Sequence, residues 1–400
     1  MSVTRTIGSV SRRAVLAAVA ATALGAGALY SNHVRAEDTI KIGLIASLSG
    51  PSAKSGEAIT RGLTIAIDEI NEAGGLLGKK VELIRRDDEN NPGKGLIAAR
   101  ELVQRENVAV LFGGLQTPVS LAIVPFMNQI QKPFMGPWAA GTPITKNGAD
   151  PNYIFRVSAV DEIVDIAMVD RAVAVHGSKK PGMILINNPW GESNEKGLKA
   201  ALEAKSMEYA GIEKIEAADI DVVPQLTRLK DAGADTLFMV ANVGPSAQVM
   251  KSLERMKWDV PVVSHWGPAG GRFSELGGPR AKDVEMIQTF TFSGNPDPKA
   301  AQMFEKLQAS FPEIKSEADV TPAVGIANAY DGMHLAALAI KNAGSTDGPA
   351  IREGFYAIEK HEGLIKTYEK PFTPDQHDAL GPQDLLFTQF IDGKIIPIKE

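Results

Sequence analysis

Residues 40–46 are apolar at almost every position and end at Ser47-Leu48-Ser49-Gly50-Pro51, the pattern of a buried strand running into a turn. Ile59, Leu63, Ala66, Ile67 and Ile70 then recur at helical spacing, and Gly74 and Gly75 close that helix. The same alternation continues. It predicts a strand at 81–86, a helix at 95–105, a strand at 108–112, a helix at 118–130 and a strand at 133–136. A second series begins after Phe155-Arg156-Val157, with helices at 162–176, 194–205 and 245–256 and strands at 183–186, 236–240 and 260–264. Residues 284–292 read as a strand and 321–342 as a long helix rich in Ala, Ile and Leu, which the pattern assigns to neither series.

Strands alternating with helices place the chain in the α/β class, with parallel sheets covered on both faces. Two such series imply two Rossmann-like lobes. No low-complexity linker separates them, so short crossovers are expected rather than a flexible tether. In sheets of this kind ligands sit beyond the carboxyl ends of the strands, where loops lead into helices. Those loops are residues 47–56, 113–118, 136–143, 187–193, 241–246 and 265–271. They hold Trp138, Trp190 and Trp266, three of the four tryptophans, which points to a site that stacks an apolar or planar ligand. Trp258 falls at a helix end and reads as packing.

The N-terminus changes the picture by adding export. Ser11-Arg12-Arg13-Ala14-Val15-Leu16 leads into an uncharged, Ala- and Gly-rich stretch at 17–29, the pattern of a twin-arginine signal peptide. That stretch is shorter than the roughly 18 to 20 residues a membrane span needs, and Val34-Arg35-Ala36 predicts cleavage after Ala36. Residues 1–36 contain four arginines and no acid, so their removal takes the formal charge from −6 to −10. Nucleic acid is not an expected partner. With no cysteine, disulfides, thiolate metal sites and cysteine nucleophiles are excluded.

A search for catalytic chemistry finds none, so neither enzyme activity nor a cofactor is expected. Residues 74–80 lack the spacing and the hydroxyl of a phosphate loop and read as a helix stop followed by a hairpin-like turn. The six histidines are scattered, no nucleophile elbow or dinucleotide fingerprint occurs, and a metal site is not expected. Asp87-Asp88-Glu89 is expected to cap the helix after Pro92. His265 is the only histidine in a candidate loop, suited to a ligand contact or a local hydrogen bond. Thr117, just before Pro118, faces whatever lies at a helix N-terminus, where an anion fits. Ala139, Ala140 and Gly141 allow close backbone approach. Of Ser49, Gly50 and Ser55 in the first loop, Ser55 is best placed to reach a cleft.

Several segments together resemble the leucine/isoleucine/valine-type periplasmic substrate-binding proteins of ABC importers, a type I periplasmic-binding fold. They are Ile42-Gly43-Leu44 with Leu48-Ser49-Gly50-Pro51, Ala66-Ile67-Asp68-Glu69-Ile70-Asn71 with Gly74-Gly75, and Arg86-Asp87-Asp88. Pro137 to Ala140, Tyr153-Ile154-Phe155-Arg156 and Trp190-Gly191 extend the likeness, which covers the chain from about residue 38. The resemblance implies three hinge crossovers, near Arg156, Gln288 and Phe372. One lobe would then hold residues 38–156 and 289–371, the other 157–288 and 372–400. It implies a periplasmic, monomeric protein that passes a small molecule to inner-membrane permease subunits and their cytoplasmic ATPases. Thr117 matches the hydroxyl that holds a ligand carboxylate, with backbone groups around Ala139 and Ala140, and Trp190 matches an aromatic closing from the second lobe. Ser55, Gln116, Trp138, Asn242 and Trp266 complete the expected ligand site. Three departures stand out: Trp266 occupies the place of the acid that meets a ligand ammonium, an aromatic near Asn242 is absent, and a hydroxyl near Ala140 is missing. An unpaired buried ammonium costs several kcal/mol. An aromatic or other apolar organic acid is therefore the expected ligand, with a branched-chain amino acid, or a sensing role at a membrane receptor, as the alternative.

Overall fold

The computed structural model describes residues 1–2 and 39–399; the expected leader and its cleavage point lie outside them. The first series of elements is β1 (Ile40–Ala46), α1 (Ala53–Glu72), β2 (Val81–Asp87), α2 (Pro92–Gln104), β3 (Val110–Gly113), α3 (Thr117–Gln129), β4 (Phe134–Gly136) and β5 (Ile154–Arg156). Its strands form a parallel sheet of order β2-β1-β3-β4-β5. The second series is α4 (Asp161–His176), β6 (Gly182–Ile186), α5 (Pro189–Ala204), β7 (Gly211–Ile215), α6 (Val223–Asp231) and β8 (Leu237–Val240). It continues with α7 (Val243–Met256), β9 (Val262–Ser264), the short α8 (Phe273–Leu276) and β10 (Val284–Gln288).

The second series winds as β7-β6-β8-β9-β10, the same order as the first. The α/β reading with two parallel sheets therefore holds. After β10 come α9 (Pro298–Ser310), α10 (Ala323–Ala343), α11 (Gly348–Tyr356), the hairpin of β11 (Lys360–Glu362) and β12 (Thr367–Glu369), and finally β13 (Leu386–Ile391) and β14 (Lys394–Pro397). β13 joins β10 antiparallel, and β14 pairs with β13. The chain thus leaves the first sheet after Arg156, returns to its helices after Gln288, and reaches the second sheet again before Leu386.

Burial explains the pattern. Ile42, Leu44 and Ile45 are fully buried because β1 is an interior strand, between β2 and β3, covered on both faces. α10 packs along α1, and the approach is close: a Cβ on Gly62 would stand 2.2 Å from the Ile326 carbonyl oxygen. Among the described residues no helix is long and apolar enough to cross a membrane.

Two local expectations need correction. The strand expected over 284–292 ends at Gln288. The cap of α2 is Asn91, whose side chain accepts from the Lys94 amide. Asp88 instead accepts from Ser47 Oγ at 2.7 Å, and Asp87 from the Leu48 amide at 2.9 Å, so the two acids fasten the loop after β1. Ser47 and Asp88 are fully buried, so the Ser47 hydroxyl needs an acceptor more than the solvent-facing start of α2 does. The turn at 74–80 is as expected, with Leu76 bridged antiparallel to Lys79.

On α1, Glu69 ties down α9 and α10 by accepting from Lys306 Nζ at 2.6 Å, Tyr330 Oη at 2.7 Å and His334 Nε2 at 3.1 Å. Burial alone would raise its pKa, but these donors outweigh burial and hold it at about 2, below the ordinary 4.5. A depressed carboxylate contributes stability above its unfolded pKa and loses it as pH falls through the folded one. The Tm difference between the wild type and Glu69→Gln is therefore expected to be largest at neutral pH and to shrink from about pH 5 towards about pH 2. Thermal scans of both proteins across that range check this.

Candidate functional site

In both sheets the strand order reverses beside the first strand of the series, between β1 and β3 and between β6 and β8. At such a switch point the loops diverge to opposite faces and leave a crevice. The crevices of the two sheets face one another across a shared cavity of about 170 Å³. All nine expected residues line it: Ser55, Gln116, Thr117, Trp138, Ala139 and Ala140 from the first series, and Trp190, Asn242 and Trp266 from the second. Sequence reasoning missed Ser52, Leu115, Val243 and Gly270, which also line it. All four lie in loops expected to hold the site, but Leu115, Val243 and Gly270 have no side-chain chemistry that singles them out, and the Ser52 hydroxyl is one of several in its loop.

Three helices start at this cavity without a side-chain cap. Their N-caps, Ser52 for α1, Gln116 for α3 and Asn242 for α7, all line it. Uncapped first turns leave amides unpaired and a partial positive charge at the helix end. α5 differs: Asn188 caps it through the Trp190 and Gly191 amides, so Trp190 serves the cavity by its ring. Thr117 Oγ1 accepts from the Gly141 amide at 3.3 Å, which leaves the hydroxyl proton to donate.

Contacts across the cavity join the two sides. Trp138 meets Trp266 with ring centroids 5.6 Å apart, Ser55 Oγ donates to the Gly270 carbonyl at 3.0 Å, and Asn242 Nδ2 donates to Gln116 Oε1 at 3.3 Å. No Asp, Glu, Lys, Arg or His contributes to the described lining. His265 does not reach it. Its ring is fully buried, Nδ1 accepts from the Trp266 amide at 2.8 Å, and Nε2 therefore carries the proton and donates to Asp161 Oδ1 at 3.1 Å. Of the two roles open to it, the local hydrogen bond is the one realised.

The walls are held from behind by the segment leaving β5. Arg156 donates to the carbonyls of Ala139 at 3.2 Å and Gly141 at 2.9 Å, and Ser158 Oγ donates to the Trp138 carbonyl at 2.6 Å. Arg156 is itself paired with Asp378 at 2.6 Å and donates to Thr145 Oγ1 at 2.8 Å. The chain at 377–379 runs beside β5, with its backbone bonded to Arg156 at both the amide and the carbonyl.

The profile of the periplasmic binding protein family matches residues 39–394. The chain belongs to this family. A relative from Brucella melitensis, Leu/Ile/Val-binding protein homolog 3, is 26% identical over 383 residues, 96% of this chain and 98% of its own. Among solved structures, a branched-chain amino acid transporter substrate-binding protein from Streptococcus pneumoniae in complex with isoleucine is similar, with TM-score 0.77 and 22% identity over 90% of this chain and 100% of that one. An ABC transporter solute-binding protein from R. palustris in complex with 4-hydroxybenzoate is equally so, with TM-score 0.77 and 23% identity over 91% of this chain and 96% of its own. At these identities the likeness is one of fold. This periplasmic binding protein shares its two-sheet layout with those structures.

Proposed function

We propose that this protein is the extracytoplasmic binding subunit of an ABC importer and captures a small carboxylate with an aromatic or other apolar body. The carrying observation is the lining: three tryptophans, neutral hydroxyls and amides, and no ionisable side chain among the described residues. An α-ammonium group placed there would be desolvated without a counter-charge, at several kcal/mol. A carboxylate fares better, because the Thr117 hydroxyl and the uncapped helix starts supply donors where negative charge is favoured. Size supports the same class: a cavity of roughly 150 Å³ admits a benzene ring, and this one holds about 170 Å³. The R. palustris protein bound to 4-hydroxybenzoate shows that the fold accepts such a ligand in that case.

In this reading the chain is exported by its twin-arginine leader, cleaved after Ala36, acts in the periplasm as a monomer, and delivers its ligand to permease subunits driven by cytoplasmic ATPases. The hinge passages near Arg156, Gln288 and the segment after Phe372 would let the two lobes close over the ligand.

The test is a thermal-shift and calorimetric screen of the chain from residue 37 with benzoate, 4-hydroxybenzoate, leucine, isoleucine and choline. A ligand at 100 times its Kd adds about 2.7 kcal/mol, which corresponds to about 3 to 4 °C at this chain length. The aromatic acids are expected to give that shift and the amino acids none. Thr117→Val is expected to weaken 4-hydroxybenzoate about tenfold to 100-fold, the worth of a hydrogen bond to a charged group. Binding of leucine without the acids would overturn the ligand class. Binding of choline would assign the three indoles to a cation instead.

A further inference from the structure

Behind the cavity wall, outside its lining, lies a carboxylate that the ligand reading does not use. Asp161, the first residue of α4, is fully buried. One of its oxygens, Oδ1, accepts from both Trp190 Nε1 and His265 Nε2, each at 3.1 Å. His265 in turn receives the Trp266 amide on Nδ1 at 2.8 Å, and its ring stands edge-on to Trp190 at 5.2 Å and to Trp266 at 5.2 Å. The Asp161 amide also donates to the Ala140 carbonyl at 2.8 Å. Asp161 thus reaches the loop after β4, the start of α5 and the loop after β9, which between them supply most of the walls.

We propose that Asp161 is a positioning residue: it sets Trp190 through its own carboxylate and Trp266 through His265, and so controls ligand affinity without touching the ligand. The proposal rests on the cavity being the ligand site. An indole offers one N–H donor, so a buried Trp190 has a single orientation that satisfies both that donor and Asp161. Removing the acceptor leaves the Trp190 and His265 donors unpaired inside the protein, which favours ring rotation away from the wall. Asp165, one turn further along α4, is buried with both oxygens unpartnered. Burial and the charge of Asp161 raise its pKa well above the ordinary range, which favours its neutral form. Neither of its oxygens takes a hydrogen bond from the two ring donors, which both go to Asp161.

The experiment compares Asp161→Leu, which has no acceptor, with Asp161→Asn, which keeps one. Its first arm needs no ligand. Near-ultraviolet circular dichroism and acrylamide quenching of tryptophan fluorescence are expected to change in Asp161→Leu and to return most of the way to wild type in Asp161→Asn. The second arm titrates 4-hydroxybenzoate. Asp161→Leu is expected to weaken binding about tenfold to 100-fold, and the same change in a Trp190→Phe background to cost at least threefold less, since the shared bond is already gone. Unaltered tryptophan signals in Asp161→Leu, or equal losses in both backgrounds, would overturn the proposal. Should Asp161→Leu not fold, His265→Phe severs the Trp266 arm alone; an unchanged spectrum and affinity there would overturn it as well. If the wild type ignores 4-hydroxybenzoate, the ligand reading fails while the spectroscopic arm still decides whether Asp161 positions the rings.

Discussion

Replacing Asp378 with alanine is expected to destabilise the protein by about 3 to 5 kcal/mol, because it leaves the guanidinium of Arg156 without its counter-charge in the interior. The two side chains are 0% and 5% exposed and meet at 2.6 Å. With an unfolding entropy of about 2 cal/mol/K per residue, the loss corresponds to a Tm drop of about 4 to 7 °C. The effect should not stop at stability. Arg156 also holds the carbonyls of Ala139 and Gly141, so affinity for 4-hydroxybenzoate is expected to fall in the same variant. Calorimetry of Asp378→Ala beside the double variant Arg156→Met/Asp378→Leu separates the two causes. If the unpaired charge is responsible, the double variant recovers much of the Tm; a loss below about 1 kcal/mol in Asp378→Ala would show that water solvates the exposed guanidinium.

The second large effect concerns Trp138. It is 7% exposed, packs against Trp266, and its ring fills the space that a Cβ on Gly325 would enter, with Cζ3 3.0 Å away. A buried aromatic anchor of this kind is worth about 2 to 4 kcal/mol to a ligand stacked on it. Trp138→Ala is therefore expected to weaken 4-hydroxybenzoate by about 30-fold to 1,000-fold. Isothermal titration of the folded variant measures it. A loss below about fivefold would mean that Trp138 joins the lobes without contacting the ligand.

Much of the fold was legible because each buried strand of a parallel sheet is a short apolar run. β1, β6 and β8 announce themselves, and the repeat of strand and helix carries the class. Edge elements were less legible. β7 lies at the margin of its sheet with most residues only half covered, so it shows neither an apolar run nor clean alternation. It was missed, together with α6, α9, α11 and the two small hairpins. One of them did carry a signal: Asp392-Gly393 joins β13 to β14 with positive φ at both residues, the turn that Asp-Gly favours. Helix starts were placed too late at α1, α5 and α7, which begin at Ala53, Pro189 and Val243. Apolar periodicity begins only where a helix starts to pack, and here the first turns, which line the cavity through Ser55, Trp190 and Val243, carry no apolar repeat.

The sequence by itself determined the α/β alternation, the loops that follow the strands and the tryptophans in them, because these depend on neighbours a few residues apart. Tertiary structure alone decided what joins across the chain. Arg156 meets Asp378, α10 returns to α1, and Asp161 binds Trp190 and His265 over separations of 222, 261, 29 and 104 residues, counting α10 by the Tyr330 bond to Glu69. A buried charge selects its partner by desolvation and geometry in the packed state, and no spacing along the chain encodes that choice.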